Sequence, residues 1–139
     1  MLKTNYRSKF TIILFALVIL GYFSSDGWSI DKKFYKNISA DQFVKMLDQK
    51  DFTLINVHIP YQGEIARTDL LIPFNKIDRY ENQLPDDKDA KMVVYCMMGP
   101  MGRIAAEKLV SMGYSQVIHL QGGMVAWQRV GKKLLIRSD

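Results

Sequence analysis

Apolar and polar positions alternate with recognisable periods from residue 38 onward. In "ISADQFVKMLDQK", Phe43, Met46 and Leu47 share one face of a predicted helix, Ser39 can cap it, and Gln42 occupies the capping-box position. "FTLINV" reads as a short strand with β-branched Ile55 and Val57, and "HIPYQGEIARTDLLIPF" as a long loop broken by Pro60 and Gly63. Within that loop "DLLIPF" predicts a short extended piece ending at Pro73, and "NKIDRYENQLPDD" a brief helix stopped before Pro85. "KMVVYC" is the most strand-like run; being apolar throughout, it suits a strand covered on both faces. "GRIAAEKLVSMGY" has helical periodicity at Ile104, Leu109 and Met112, with Gly113 placed to end the helix. "SQVIHL" is a further strand, and "QGGMVAWQRVGKKL" a glycine turn leading into a helix. Strands alternating with helices at short intervals predict one α/β domain around a mostly parallel sheet flanked by helices.

The N-terminal pattern differs. "MLKTNYRSKF" supplies Lys3, Arg7 and Lys9, and the 13 residues from Thr11 to Phe23 are an uninterrupted apolar run. A membrane-spanning helix needs about 20 such residues, whereas the apolar region of an export signal runs to about 7–15. Small polar residues "SSDGWS" follow, with Ser25/Gly27 or Gly27/Ser29 as the small pair for cleavage. Residues 1–27 are therefore expected to be a signal peptide or an uncleaved N-terminal membrane anchor, and residues 28–139 the domain, placed in the periplasm or otherwise outside the cytoplasm. No cysteine directly follows the apolar run, so a lipoprotein anchor on this segment is not expected. Residues 24–38 are the only linker candidate.

Composition changes this picture little. Residues 1–27 hold three of the 19 basic and one of the 14 acidic residues, leaving 16 against 13. That mild excess is scattered through "DKK", "DDKDAK" and "GKK", without the concentrated basic patch of a nucleic-acid binder. The single cysteine, Cys96, matters more. An exported chain with one thiol forms no internal disulfide, so the thiol is paired between molecules, buried, or used in chemistry.

If "KMVVY" is a central parallel strand, Cys96 lies at its carboxyl end, where α/β sheets place their ligand sites. The following "MMGPMG" is a tight turn that aims backbone N–H groups inward, and the N-terminus of the next helix adds positive potential. Such a cradle favours a thiolate, which makes Cys96 the candidate nucleophile. The thiol and the thioethers of Met97, Met98 and Met101 also form a soft-donor set suited to Cu(I).

The run "VVYCMMGPMGRIAAEKLVSMGYSQVIHLQGGMVAWQ" resembles the rhodanese (thiosulfate sulfurtransferase) domain. The shared features are a strand ending in cysteine, glycine three positions later, a helix containing "AAEKL", then "GY" plus a strand, and "LQGGMVAW" from Leu120 to Trp127. "ISADQFVKML" and "FTLINVHIP" fit the family's opening helix and first core strand, so the resemblance covers about residues 38–130. It implies a rhodanese-like fold and sulfane-sulfur transfer without a cofactor. Cys96 would take sulfur from thiosulfate, a persulfide or a polysulfide and pass it to a thiol, a protein thiol or cyanide. The N–H groups of Met97, Met98, Gly99, Met101 and Gly102 would line the pocket, with Arg103 and His58 as further substrate-binding candidates. Covalent catalysis in two half-reactions follows.

Four departures bear on that reading. Active rhodanese loops often carry Arg or Lys beside the cysteine and arginine five positions after it, where this chain has Met97 and Met101. The usual aspartate ending the first core strand is Asn56, and the basic residue two later is His58. A loop poor in cations disfavours dianionic thiosulfate, because a bidentate partner is missing. Phosphatases built on a related cysteine loop need arginine six positions on, and Gly102 stands there. A non-catalytic sulfur carrier or a Cu(I) module is the alternative. Of the rest, His119 is expected to be a satisfied strand-edge histidine, Trp127 core, and Glu64 and Asp69 solvated loop carboxylates. One of Gly122 and Gly123 is expected to need positive φ or to allow a close helix approach.

Overall fold

The structure, a computed structural model, describes residues 34–137. The expected export segment over residues 1–27 lies outside the described residues. In chain order the elements are β1 (Lys36–Ile38), α1 (Ala40–Asp48), β2 (Thr53–Asn56), β3 (Leu70–Leu71), a 3₁₀ segment (Ile77–Gln83) kinked at Tyr80, β4 (Met92–Tyr95), α2 (Pro100–Ser111), β5 (Val117–Leu120) and α3 (Gly123–Arg129). The five strands form one sheet in the order β1-β5-β4-β2-β3, and every pairing is parallel. This is the α/β domain around a parallel sheet expected from the sequence.

The continuous apolar run of β4 follows from its place at the centre. Its register runs from Thr53↔Met92 to Asn56↔Tyr95 on one side and from Met92↔Val117 to Val94↔His119 on the other. Successive side chains alternate between two cores. Met92, Val94 and Cys96 pack with Ala105, Ala106 and Leu109 of α2, whereas Val93 and Tyr95 pack with Phe43 of α1 and Met124 and Trp127 of α3. A strand covered on both faces has no use for a polar alternate position, which is why "KMVVYC" carries none.

Local signals placed most elements. Ser39 Oγ accepts from the Gln42 N–H and the Gln42 side chain accepts from the Ser39 N–H, completing the capping box of α1. Three readings are corrected. Residues 36–38, assigned to a linker, form edge strand β1; its burial pattern has only Ile38 inward, too short to show a period. Helix α2 begins at Pro100, two residues before Gly102, because proline suits the first helical position and puts Met101 and Gly102 inside the first turn. Its buried face is Gly102, Ala105, Ala106 and Leu109, leaving Ile104 41% exposed. Small side chains bring α2 close to the sheet, and a hydrophobicity pattern undercounts alanine and glycine.

The long loop between β2 and β3 is tied down at both ends. The Tyr95 hydroxyl accepts from the Ile65 N–H at 2.9 Å and bonds Thr68 Oγ1 at 2.7 Å. Burial pushes the Tyr95 phenol up to about 12. Glu64 and Leu135 exchange both backbone hydrogen bonds at 2.8 Å, so the C-terminal segment lies across the loop as a strap. The Arg137 guanidinium reaches the largely buried Glu64 carboxylate at 3.1 Å, and the Arg137 N–H donates to the Tyr61 hydroxyl at 2.9 Å. Among the described residues no helix is long and apolar enough to cross a membrane.

Tyr95→Phe removes the acceptor for a buried N–H while keeping the ring. It is expected to lower stability by about 1–3 kcal/mol, read by urea denaturation with the slope unchanged; an unchanged midpoint would show that Ile65 finds another partner.

Candidate active site

Cys96 follows β4 directly and is 1% exposed, yet it lines a cavity of about 250 Å³ together with His58, Met97, Met98, Pro100 and Met101. The turn after it is three residues long. Gly99, at φ 131° and ψ −47°, occupies a conformation that side-chain-bearing residues rarely adopt. That twist turns the Gly99 N–H onto Cys96 Sγ at 3.0 Å. The Arg103 N–H donates to the Gly99 carbonyl at 2.9 Å, opening α2 directly behind the turn.

Main chain from α3 holds the same turn from its other side. The Met124 N–H donates to the Cys96 carbonyl at 2.9 Å and the Val125 N–H to the Met97 carbonyl at 3.0 Å. This contact needs the second glycine of "LQGG". A Cβ on Gly123 would stand 2.1 Å from the Cys96 oxygen, and its φ of 52° is left-handed. Gly122 also has positive φ, so both glycines carry the backbone role expected of one of them.

The sequence candidates separate in space. Met97, Met101 and His58 line the cavity, and Met98 does so while 66% exposed at its rim. Of the five amides expected to form a cradle, the Gly99 N–H is the one bonded to the sulfur. Gly102 is not part of the lining, and a Cβ there would stand 2.9 Å from the His119 ring. Arg103 is not brought to the cavity: its guanidinium bonds Glu107 at 2.8 Å, one helical turn on, with both side chains about half exposed. The i, i+4 spacing supplies a carboxylate nearer than the pocket. Glu64 and Asp69 do not line the cavity and are not free loop carboxylates. Glu64 pairs with Arg137; Asp69 accepts from the Leu54 N–H at 2.7 Å and from Lys50 at 2.6 Å. Trp127 is core, packed edge-on against Phe43.

Asn56 shows why an amide stands where a carboxylate is usual. Its Nδ2 donates to the Gly63 carbonyl at 3.0 Å and its Oδ1 accepts from the His58 N–H at 3.0 Å. A carboxylate could make only the second bond. The loop bearing His58 is thus closed by one buried side chain. His58 Nε2 lies 3.0 Å from Gln62 Oε1, and Nδ1 is buried without a hydrogen-bond partner. Pro100, which the sequence did not single out, also lines the cavity, and the surface the lining exposes is apolar.

Behind the turn stands His119. Its Nε2 donates to the Gly99 carbonyl at 3.1 Å, its Nδ1 is 2.8 Å from Oδ1 of Asn37, and Tyr35 packs edge-on against the ring. Burial first, and the Arg103 charge second, hold its pKa below the ordinary 6.5, opposed by the bond to Gly99. Among the described residues, no group of three or more His, Cys, Asp and Glu side chains is placed to hold a metal ion. A Cu(I) site would rest on Cys96 and thioethers, with His58 beside them.

Cys96 thus ends a strand inside a glycine turn backed by a helix, and known proteins similar to this chain belong to one family. The rhodanese-like domain model matches residues 34–130. A sulfurtransferase of Allochromatium vinosum is 32% identical over 90 residues, covering 63% of this chain and 81% of that protein. The adenylyltransferase and sulfurtransferase UBA4 of Candida albicans is 43% identical over 107 residues, covering 70% of this chain; the match spans only 24% of that longer protein. A rhodanese-like domain protein of Staphylococcus aureus superimposes with a TM-score of 0.63 at 26% identity, covering 74% of this chain and 99% of that one. The chain belongs to the rhodanese-like family, whose sulfurtransferase members place it among sulfur-transferring proteins in general.

Two outcomes follow from this geometry. Gly123→Ala is expected to destabilise the fold by about 3 kcal/mol or more, at or above the usual cost of overpacking, because main chain must move to admit the methyl; chemical denaturation measures it, and a loss below about 1 kcal/mol would show the contact to be yielding. The His119 ring is held neutral in the fold, so as pH falls through 6.5 the unfolded chain takes up a proton that the folded chain refuses. Stability therefore declines below that pH until the folded ring also titrates. The stability difference between wild type and His119→Gln is expected to shrink between neutral and mildly acidic pH in thermal melts, and a constant difference would contradict it.

Proposed function

We propose that the protein is an extracytoplasmic sulfurtransferase in which Cys96 carries sulfane sulfur as a persulfide. The Cys96 thiolate attacks the outer sulfur of a donor R–S–SH. The new S–S bond forms as the donor's own S–S bond breaks, and the leaving thiolate RS⁻ keeps the bonding pair and takes a proton from water. A thiol or cyanide acceptor then attacks the outer sulfur of the Cys96 persulfide, and Cys96 departs as thiolate. No oxidant or cofactor enters either step.

One observation carries the choice of donor. Among the described residues the cavity around Cys96 is lined by four sulfur-bearing side chains, a proline and His58, with no lysine or arginine, while Arg103 is paired with Glu107. A dianion such as thiosulfate finds no charge-assisted partner there, whereas a persulfide or polysulfide places a short apolar sulfur chain against thioethers. His58 also lines the cavity, but its Nδ1 is buried and its Nε2 faces Gln62, so donor and acceptor meet an apolar wall. The second reading, a Cu(I) module, draws on the same methionines; sulfur transfer is preferred because the Gly99 N–H is aimed at Cys96 Sγ, an arrangement that supports an anionic nucleophile.

Intact-mass measurement tests this. After incubation with glutathione persulfide, the wild type is expected to gain about 32 Da per sulfur and Cys96→Ala nothing, with loading from the persulfide at least about tenfold faster than from thiosulfate, the cost of one missing charge-assisted bond. Absence of an adduct from any donor overturns the function; equal loading from thiosulfate overturns the donor preference alone.

A further inference from the structure

We infer that His119 is a positioning residue for Cys96, acting through the Gly99 carbonyl to fix the direction of the N–H that bonds the sulfur. The inference rests on the reading of Cys96 as a nucleophile. Gly99 has the widest conformational freedom of any residue, and its N–H bonds Sγ only while φ and ψ stay at 131° and −47°. Nothing intrinsic to glycine holds it there. Two donors on its carbonyl do: the first helical N–H of α2, from Arg103 at 2.9 Å, and His119 Nε2 at 3.1 Å.

The surroundings are shaped to hold the ring in that pose. His119 is 5% exposed on β5, and the register sets it beside Asn37 of β1, whose side-chain oxygen is 2.8 Å from Nδ1. Tyr35 packs against the ring at 85° with centroids 6.0 Å apart. On the opposite side, Gly102 leaves room that a single methyl would fill, its Cβ falling 2.9 Å from both Nε2 and Cδ2. The absence of a side chain at 102, which speaks against phosphoryl transfer in the sequence, is thus what admits the histidine. A buried neutral ring has one N–H to give. The Gly99 oxygen can only accept, so that hydrogen is on Nε2, and a half-turn of the Asn37 amide supplies Nδ1 with its donor.

The contact would be expendable if it only filled space, and substitutions separate the two roles. His119→Phe keeps a ring and loses the donor; His119→Gln returns an amide N–H to the Nε2 position; His119→Asn reaches Asn37 but not Gly99. The readout is the rate of Cys96 alkylation by iodoacetamide at fixed pH in the folded full chain, beside a thermal melt. Alkylation is expected to slow about tenfold in His119→Phe, the scale of one lost hydrogen bond, and to return to within about twofold of wild type in His119→Gln. Should the phenylalanine variant not fold, slow His119→Asn against fast His119→Gln gives the same contrast. Wild-type rates in the folded Phe and Asn variants, or a Gln variant as slow as they are, overturn the inference. Because iodoacetamide needs no sulfur donor, the contrast can hold even where no persulfide forms; that outcome would remove the transfer reaction and leave the positioning role standing.

Discussion

Everything around Cys96 depends on backbone meeting backbone without a side chain between. The first turn of α3 donates two N–H groups to the carbonyls of Cys96 and Met97, and the approach is possible only because residue 123 has no Cβ. With those carbonyls fixed, the turn that follows has little choice of path. It closes in three residues, passes through the left-handed Gly99 and enters α2 at a proline. A buried carbonyl without a partner is costly, so these contacts satisfy the loop as well as shape it. The sulfur's surroundings are therefore specified by elements far apart in sequence, β4, α2 and α3, joined at one point of the sheet.

Much of this was legible in the residues, for identifiable reasons. The strand ending at Cys96 was visible because a doubly covered strand is written as an unbroken apolar run, and the capping box of α1 because both of its bonds are local. The "GG" pair announced a backbone requirement, though not its partner. Features set by long-range geometry stayed hidden. Edge strand β1 has three residues and one buried side chain, too little for any period. The outward turn of Arg103 follows from Glu107 four residues on, a local pair that loses significance beside an expected pocket. His119 looked like an ordinary satisfied histidine; it is satisfied, but by the carbonyl of the residue whose N–H touches the nucleophile. That link joins positions 20 residues apart and has no sequence signature.

The departures from the family pattern form a coherent set. Against the family pattern that the sequence resembles, Met97 and Met101 stand at the loop's often basic positions, Asn56 at the usual aspartate, and His58 at the often basic position two later. Together they exchange a charged pocket for a neutral, polarisable one. The amide at 56 makes a second bond, to Gly63, that a carboxylate cannot make. The described lining offers thioether and proline surface rather than charge.

The strap formed by Leu135 and Arg137 ties a segment that follows the last helix to the wall of the cavity around Cys96. The loop it clamps at Glu64 begins with His58 on the cavity wall, and Tyr61, midway between them, is gripped by the same segment. Cutting the grip at Arg137 would free the Glu64 carboxylate and slacken that wall while leaving every core side chain in place, so the damage would be to the shape of the cavity rather than to the fold.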